Sequence, residues 1–237
     1  MELISSSSQF GEDVLLWEHF EHAPHGYFVE VGANHPTKFS QTWFFEQQGW
    51  KGLLVEPLAA KCGLLRAGRP GSRVIQAAVG APDQRGRARF HMAADDDMYS
   101  GLAVPPTGTI LTEEVEILTL DDILDSEGSP RIDLLSIDVE GHEPSVLAGF
   151  DIARHRPRMV LLEDHLESLV VHRWMTAHAY RLVKRTGCNS WYVPGDAQFT
   201  GASLWERLSL WKEIRLDTPI RIRRRRRQRR KSNAAPT

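Results

Sequence analysis

The chain has 237 residues, 41% of them hydrophobic and 25% charged, which fits one large soluble domain better than two small ones. Nine of its 29 basic residues lie in 221–237, a stretch without an acid, so residues 1–220 carry 20 basic against 31 acidic side chains, a net charge of −11. No apolar run approaches the ~18 residues of a membrane-crossing helix. Two cysteines, Cys62 and Cys188, exclude a disulfide scaffold and a cysteine-only zinc site.

A first helix is predicted at about 10–21, with Phe10, Val14, Trp17 and Phe20 at helical spacing and Glu12 and Asp13 in its first turn. Tyr27–Val31 reads as a strand ending at Gly32, 42–48 as a helix stopping at Gly49, and Gly52–Val55 as a buried strand. Pro57 suits the start of a helix; Arg73–Val79 and Arg85–Met92 follow as strand-like segments. Residues 93–108, with three consecutive aspartates and two adjacent prolines, read as a loop or lid. Val115–Leu118 is a strand, and Thr119 with Asp122 forms a capping box for a helix at 120–126. Ile132–Ile137 and Met159–Leu162 are buried strands, with a helix from Pro144 between them. A helix at 167–179 precedes a hairpin, Tyr180–Lys184 and Ser190–Val193, and an amphipathic helix at 203–214 uses Leu204, Leu208 and Trp211.

Strands alternating with helices, the strands almost uninterruptedly apolar, predict an α/β fold with a mainly parallel sheet covered on both faces. Ligands in such sheets bind beyond the carboxyl ends of the strands. Three strand ends carry acids there: Glu30, Glu56 and Asp138. The segment FVEVGANHP keeps one tight-turn glycine, Gly32, but puts Asn34 and Thr37 where a phosphate-binding G-x-G-x-x-G would have glycines. A pyrophosphate cofactor is disfavoured. Glu56, one strand–helix–strand unit beyond Glu30, suits the two hydroxyls of a ribose.

The blocks SQFGEDVLLWEHF (8–20), FVEVGANHP (28–36), TWFFEQQGWKGLLVEP (42–57), LTLDDIL (118–124), IDLLSIDVEGHEPSVLAGF (132–150) and RPRMVLLE (156–163) resemble, in this order, the FkbM family of methyltransferases. The resemblance spans about 8–194. It implies a Rossmann-like class I fold, a seven-stranded mainly parallel sheet with an antiparallel last strand. It also implies S-adenosylmethionine as cofactor and O-methylation, often of a sugar hydroxyl in natural-product or glycan biosynthesis. Carried over, Glu30, Gly32 and Asn34 line the methionine portion, Glu56 holds the ribose, Pro57, Ala77 and Ala78 flank the adenine, and Gln9 and Asp13 belong to an N-terminal motif that covers the cofactor.

An acceptor alcohol must lose its proton, which needs a base or a metal. Asp138, Glu140, His142 and Glu143 follow one strand; Glu163, Asp164 and His165 follow the next. His142 or His165 as base, with Asp138, and Mg²⁺ held by Asp138, Glu163 and Asp164 remain alternatives. Glu140 is expected to point away from Asp138 or to cap the following helix, Glu143 to favour a helix start, and Trp191 and Tyr192 either to stack on a sugar or to pack internally. Residues 1–220 form one domain and 221–237 a basic, disordered tail, open to RNA, an anionic membrane or the acidic body. An RNA methyltransferase and a non-catalytic cofactor-fold binding protein are the rival functions. Without a basic leader or apolar signal core at the N-terminus, the cytoplasm is the expected location.

Overall fold

Strands buried on both faces need apolar side chains at successive positions, and the central strands have them. The structure, a computed structural model, describes residues 6–93, 96–101, 110–166 and 168–233. In chain order the elements are α1 (Glu12–His19), β1 (Tyr27–Val31), α2 (Trp43–Gln47), β2 (Lys51–Glu56), α3 (Ala59–Gly68), β3 (Ser72–Gln76) and β4 (Ala78–Val79). Then come β5 (Gly86–Ala93), β6 (Asp96–Gly101), β7 (Ile110–Leu118), α4 (Leu120–Ser126), β8 (Leu134–Ile137), α5 (Glu143–Ala148) and α6 (Ile152–His155). The last are β9 (Met159–Glu163), α7 (Val170–Ala177), β10 (Tyr180–Thr186), β11 (Asn189–Pro194), α8 (Leu204–Lys212) and α9 (Thr218–Asn233).

The main sheet has seven strands in the order β10-β11-β9-β8-β1-β2-β3, parallel except for β11, which is antiparallel to both its neighbours. Successive residues serve opposite faces: Val29, Leu53, Leu135 and Val160 enter one core, Phe28, Leu54, Leu134 and Leu161 the other. Trp191 and Tyr192 on β11 are fully buried, one in each core, so internal packing accounts for both and neither reaches a ligand.

Three local expectations are corrected. The predicted strand 73–79 breaks between Gln76 and Ala78, and β4 joins a second sheet, β4-β7-β5-β6. Within 93–108, residues 96–101 form a strand paired with β5 rather than a loop, while 94–95 and 102–108 lie outside the described residues. The basic segment is helical through Asn233: an arginine run is a good helix former, and no glycine or proline interrupts it before Pro236. The capping box of Thr119 and Asp122 forms as expected.

Helix α1 buries Leu16, Trp17 and Phe20 rather than Phe10, which is exposed. Its first-turn acids are also buried. Glu12 accepts hydrogen bonds from Thr186 (2.9 Å) and Asn189 (2.8 Å), tying the helix to the β10–β11 hairpin. Asp13 accepts from the Ser6 hydroxyl (2.6 Å), the Ser7 amide (2.7 Å) and the Ser8 hydroxyl (3.0 Å). Burial pushes the Asp13 carboxyl up, but the hydrogen bonds from Ser6, Ser7 and Ser8 outweigh it and the net shift is downward. A folded pKa below the ~3.9 of unfolded aspartate stabilises the fold above that pH, and the contribution is lost as pH falls through the folded value. Asp13→Asn is therefore expected to lower the melting temperature at neutral pH and to flatten its decline below about pH 4. An unchanged acid limb in thermal melts would contradict this role.

Candidate active site

Chain leaves β1 toward β2 on one side, while β8 pairs with β1 on the other. That reversal opens a crevice at the carboxyl ends of these strands. Gly32, Asn34, Glu56, Pro57, Ala77, Ala78, Asp138 and His142 line a single pocket there, roofed by Phe90 and Gly101 of the second sheet. The sequence has no signal for that roof, since it depends on how the second sheet folds over the first.

Gly32 has φ +86° and donates its N–H to Val55 O at 2.9 Å. A Cβ at this position would collide with the carbonyl oxygen of Asp138. The glycine is required by backbone-to-backbone packing of the β1 and β8 ends as well as by the turn. Asn34, at φ +49°, turns its amide onto Glu56 Oε2 (3.0 Å), and the Leu58 amide reaches Oε1 (3.0 Å). Glu56 is thereby fixed with one acceptor position left on each oxygen. Burial raises its pKa, partly offset by those two amides and Lys61.

Of three residues expected at the cofactor, Glu30 borders the pocket while Gln9 and Asp13 lie outside it. Glu30 borders the pocket, but its carboxylate accepts from Ser40 (3.2 Å), the Gln41 amide (3.3 Å) and Thr42, and lies 3.7 Å from Arg69. Its charge braces the segment 40–42 at the pocket wall. Gln9 is exposed and Asp13 is enclosed by Ser6–Ser8, so neither lines the pocket. Their segment acts one step removed: Ser7 donates to Ser40 O (3.1 Å) and Ser8 bridges Phe39, and both Phe39 and Ser40 are pocket residues. Sequence reading also missed Arg69, fully buried, which donates to Glu46 (2.7 Å), Thr42 (2.9 Å) and Pro36 O (3.2 Å). An arginine just past the end of a helix gives no sequence signal of burial.

On the acceptor side, Asp138 and Glu163 lie side by side at the ends of β8 and β9, with carboxylate oxygens within 4.8 Å of each other. Burial first, then the charge of Glu163, holds Asp138 well above the usual carboxylate range. Glu163 is raised too, by burial. Two carboxylates this close disfavour each other's ionisation, so Asp138 releases its proton at a higher pH than a free carboxyl does. Glu140, expected to point away, instead offers an oxygen within 4.8 Å of ligand atoms of both Asp138 and Glu163. Its backbone at φ +52° turns it back toward the strand end. Asp164 is not in this set; one of its oxygens accepts from the Leu166 amide at 2.8 Å. Glu143, expected to favour the start of the following helix, closes the turn before it, accepting from Gly141 (3.0 Å) and Val139 (3.3 Å).

Of the two histidines, His142 lines the pocket and burial lowers its pKa, keeping it neutral. His165 is exposed, 3.3 Å from Glu163, and does not line the pocket. Cys188 also approaches Glu163, and burial, then the Glu163 charge, push its thiol up to about 12, so it is inert.

A family description, the methyltransferase FkbM domain, matches residues 30–182, more than half of the chain and every candidate site residue except Gln9 and Asp13. Similar solved structures include a TehB-like SAM-dependent methyltransferase from Corynebacterium glutamicum, 10% identical, covering 79% of this chain and 89% of that one, at a TM-score of 0.41. A precorrin-6y C5,15-methyltransferase from Geobacter metallireducens is 11% identical, covers 81% and 89%, and has a TM-score of 0.43. A methyltransferase-like protein from Silicibacter pomeroyi is 14% identical, covers 89% and 95%, and has a TM-score of 0.43. Likenesses this weak carry no argument about activity, and no curated protein matches. The family match over the strands that build the pocket carries the assignment: the chain belongs to the FkbM methyltransferase family.

Proposed function

We propose that the protein is an S-adenosylmethionine-dependent O-methyltransferase acting on a hydroxyl of a neutral, sugar-bearing small molecule. The observation that carries this reading is Asp138 lining the pocket beside the strand switch point, with carboxylate oxygens of Glu140 and Glu163 within 4.8 Å of its own. The pocket suits the cofactor: Glu56 keeps acceptor positions for a ribose diol, and Pro57, Ala77, Ala78 and Phe90 offer a slot for adenine. S-adenosylmethionine supplies a methyl group on a sulfonium, which is displaced in line. The residues orient the acceptor oxygen and exclude water, and Asp138 with Glu163 takes the hydroxyl proton as the oxygen attacks. Asp138, Glu140 and Glu163 together repel an acceptor phosphate at the reacting position, which favours a neutral polyol over RNA.

The three carboxylates also form a hard-ligand set fit for Mg²⁺, and chelation separates the two routes. Transfer of labelled methyl to neutral glycosides is expected to persist in EDTA. Loss in EDTA restored by Mg²⁺ assigns the carboxylates to a metal instead, and methylation of RNA in preference to glycosides would overturn the acceptor class. Glu56→Gln is expected to weaken S-adenosylmethionine by ~1–3 kcal/mol in equilibrium dialysis, the loss of charge-assisted bonds to the ribose. Unchanged affinity would remove Glu56 from the site. Two unbonded thiols, Cys62 and Cys188, favour a reducing compartment, the cytoplasm.

A further inference from the structure

Helix α8 begins in a capping box of Ser203 and Glu206 and lies along the edge strand β10, anchored by Lys184 to Glu206 (2.8 Å). Its inward side is Leu210 and, in the following turn, the buried Ile214. The adjoining face is the anomaly. Leu204, Leu208 and Trp211 fall at i, i+4 and i+7 and are 68%, 50% and 58% exposed, Trp211 also bordering the groove beside Leu210 and Ile214; Trp205 is 80% exposed. The sequence predicted an amphipathic helix through Leu204, Leu208 and Trp211, and the described body leaves their face largely open. Leu216 and Ile220 extend it through a π-helical turn, Glu213–Asp217, into α9.

Directly after this apolar line comes the basic run. Residues 221–237 hold nine basic residues and no acid, and Arg221, Arg223, Arg224, Arg225 and Arg227 are exposed. Acidic and basic residues balance in 204–220, so the positive charge is confined to one end of a continuous helical rod.

We propose that residues 204–231 are an interfacial anchor for an anionic lipid bilayer, the Trp–Leu face of α8 entering the headgroup boundary and the arginines of α9 lying on the lipid charge. Exposed tryptophans flanked by aliphatic residues and followed by a polybasic segment are the chemistry of a surface-lying helix. A single-stranded nucleic acid would use the arginines and stack on tryptophan, but gains nothing from Leu204, Leu208, Leu216 and Ile220 on a convex helix. A second copy docking helix to helix in parallel would bring two runs of nine positive charges together. Among the described residues no helix is long and apolar enough to cross a membrane, so the rod would lie on the surface. Arg185 links it to the pocket side of the fold: it donates to Asp164 O at 2.9 Å and lies 3.8 Å from Glu213.

The test is co-sedimentation of the full chain with vesicles of equimolar phosphatidylglycerol and phosphatidylcholine, beside vesicles of phosphatidylcholine alone. The anionic vesicles should bind the protein and the neutral ones far more weakly. Arg223→Gln with Arg224→Gln, Arg225→Gln and Arg227→Gln should weaken that binding on the order of 10²–10³-fold. Trp205→Ser with Trp211→Ser, both at exposed positions, should weaken it by roughly tenfold or more while leaving the circular dichroism melt unchanged. Absence of binding to anionic vesicles overturns the proposal. So does binding that the tryptophan pair does not affect, which leaves only charge. A dimer in light scattering that the tryptophan changes dissolve, without vesicle binding, assigns the face to a second copy. Tighter binding to a single-stranded oligonucleotide than to the vesicles at the same salt assigns it to nucleic acid. None of these readouts depends on methyl transfer.

Discussion

Asp138→Ala is expected to reduce methyl transfer by a factor on the order of 10² or more while the protein stays folded and still binds S-adenosylmethionine. The side chain directly follows the central strand β8 and lines the pocket, which its neighbour Glu163 does not. Because burial and Glu163 raise its pKa, the carboxyl is protonated at low pH and becomes a base only as pH rises through that raised value. Transfer by the wild type should therefore climb with pH along a limb that Asp138→Asn lacks. His142→Ala should cost activity, since that ring lines the pocket, whereas His165→Ala should cost little. Full activity in Asp138→Ala would remove both the proton-acceptor and the metal versions of the site.

Gly32→Val is expected to cost more than ~4 kcal/mol of stability, enough to prevent folding of an ordinary domain. Two penalties add at this position. The backbone sits at φ +86°, a region that β-branched residues avoid, and the new Cβ meets the Asp138 carbonyl, a backbone atom that cannot turn aside. Gly141→Ala separates them: φ is +91° there, but no heavy atom lies near its Cβ, so the cost should stay at about 1–3 kcal/mol of backbone strain. Chemical denaturation of both variants checks the contrast. A Gly32→Val protein as stable as Gly141→Ala would mean that the close approach of β1 and β8 is not required.

The main sheet was legible because its signal is local. Runs such as Leu134–Ile137 and Met159–Leu162 are short, apolar and bounded by polar residues, and parallel strands buried on both faces have that pattern. Gly32, Glu56 and Asp138 were legible for a related reason: each directly follows or ends such a strand, where the topology makes a crevice. What stayed hidden depends on distant partners. Glu30 has the same strand-end position as Glu56, but Ser40, Thr42 and Arg69, brought together by folding, take its carboxylate. Asp13 was read through the helix dipole, whereas three serines upstream enclose it. The helical spacing of Leu204, Leu208 and Trp211 was visible, but periodicity gives a face and not what covers it.

The central claim is that the crevice beyond β1, β2 and β8 holds S-adenosylmethionine with Glu56 at its ribose. Calorimetric titration of the cofactor into the wild-type chain tests it most directly. The predicted result is saturable binding of one equivalent, competed by S-adenosylhomocysteine, which shares the ribose and adenine. Absence of saturable binding to the folded protein would contradict it.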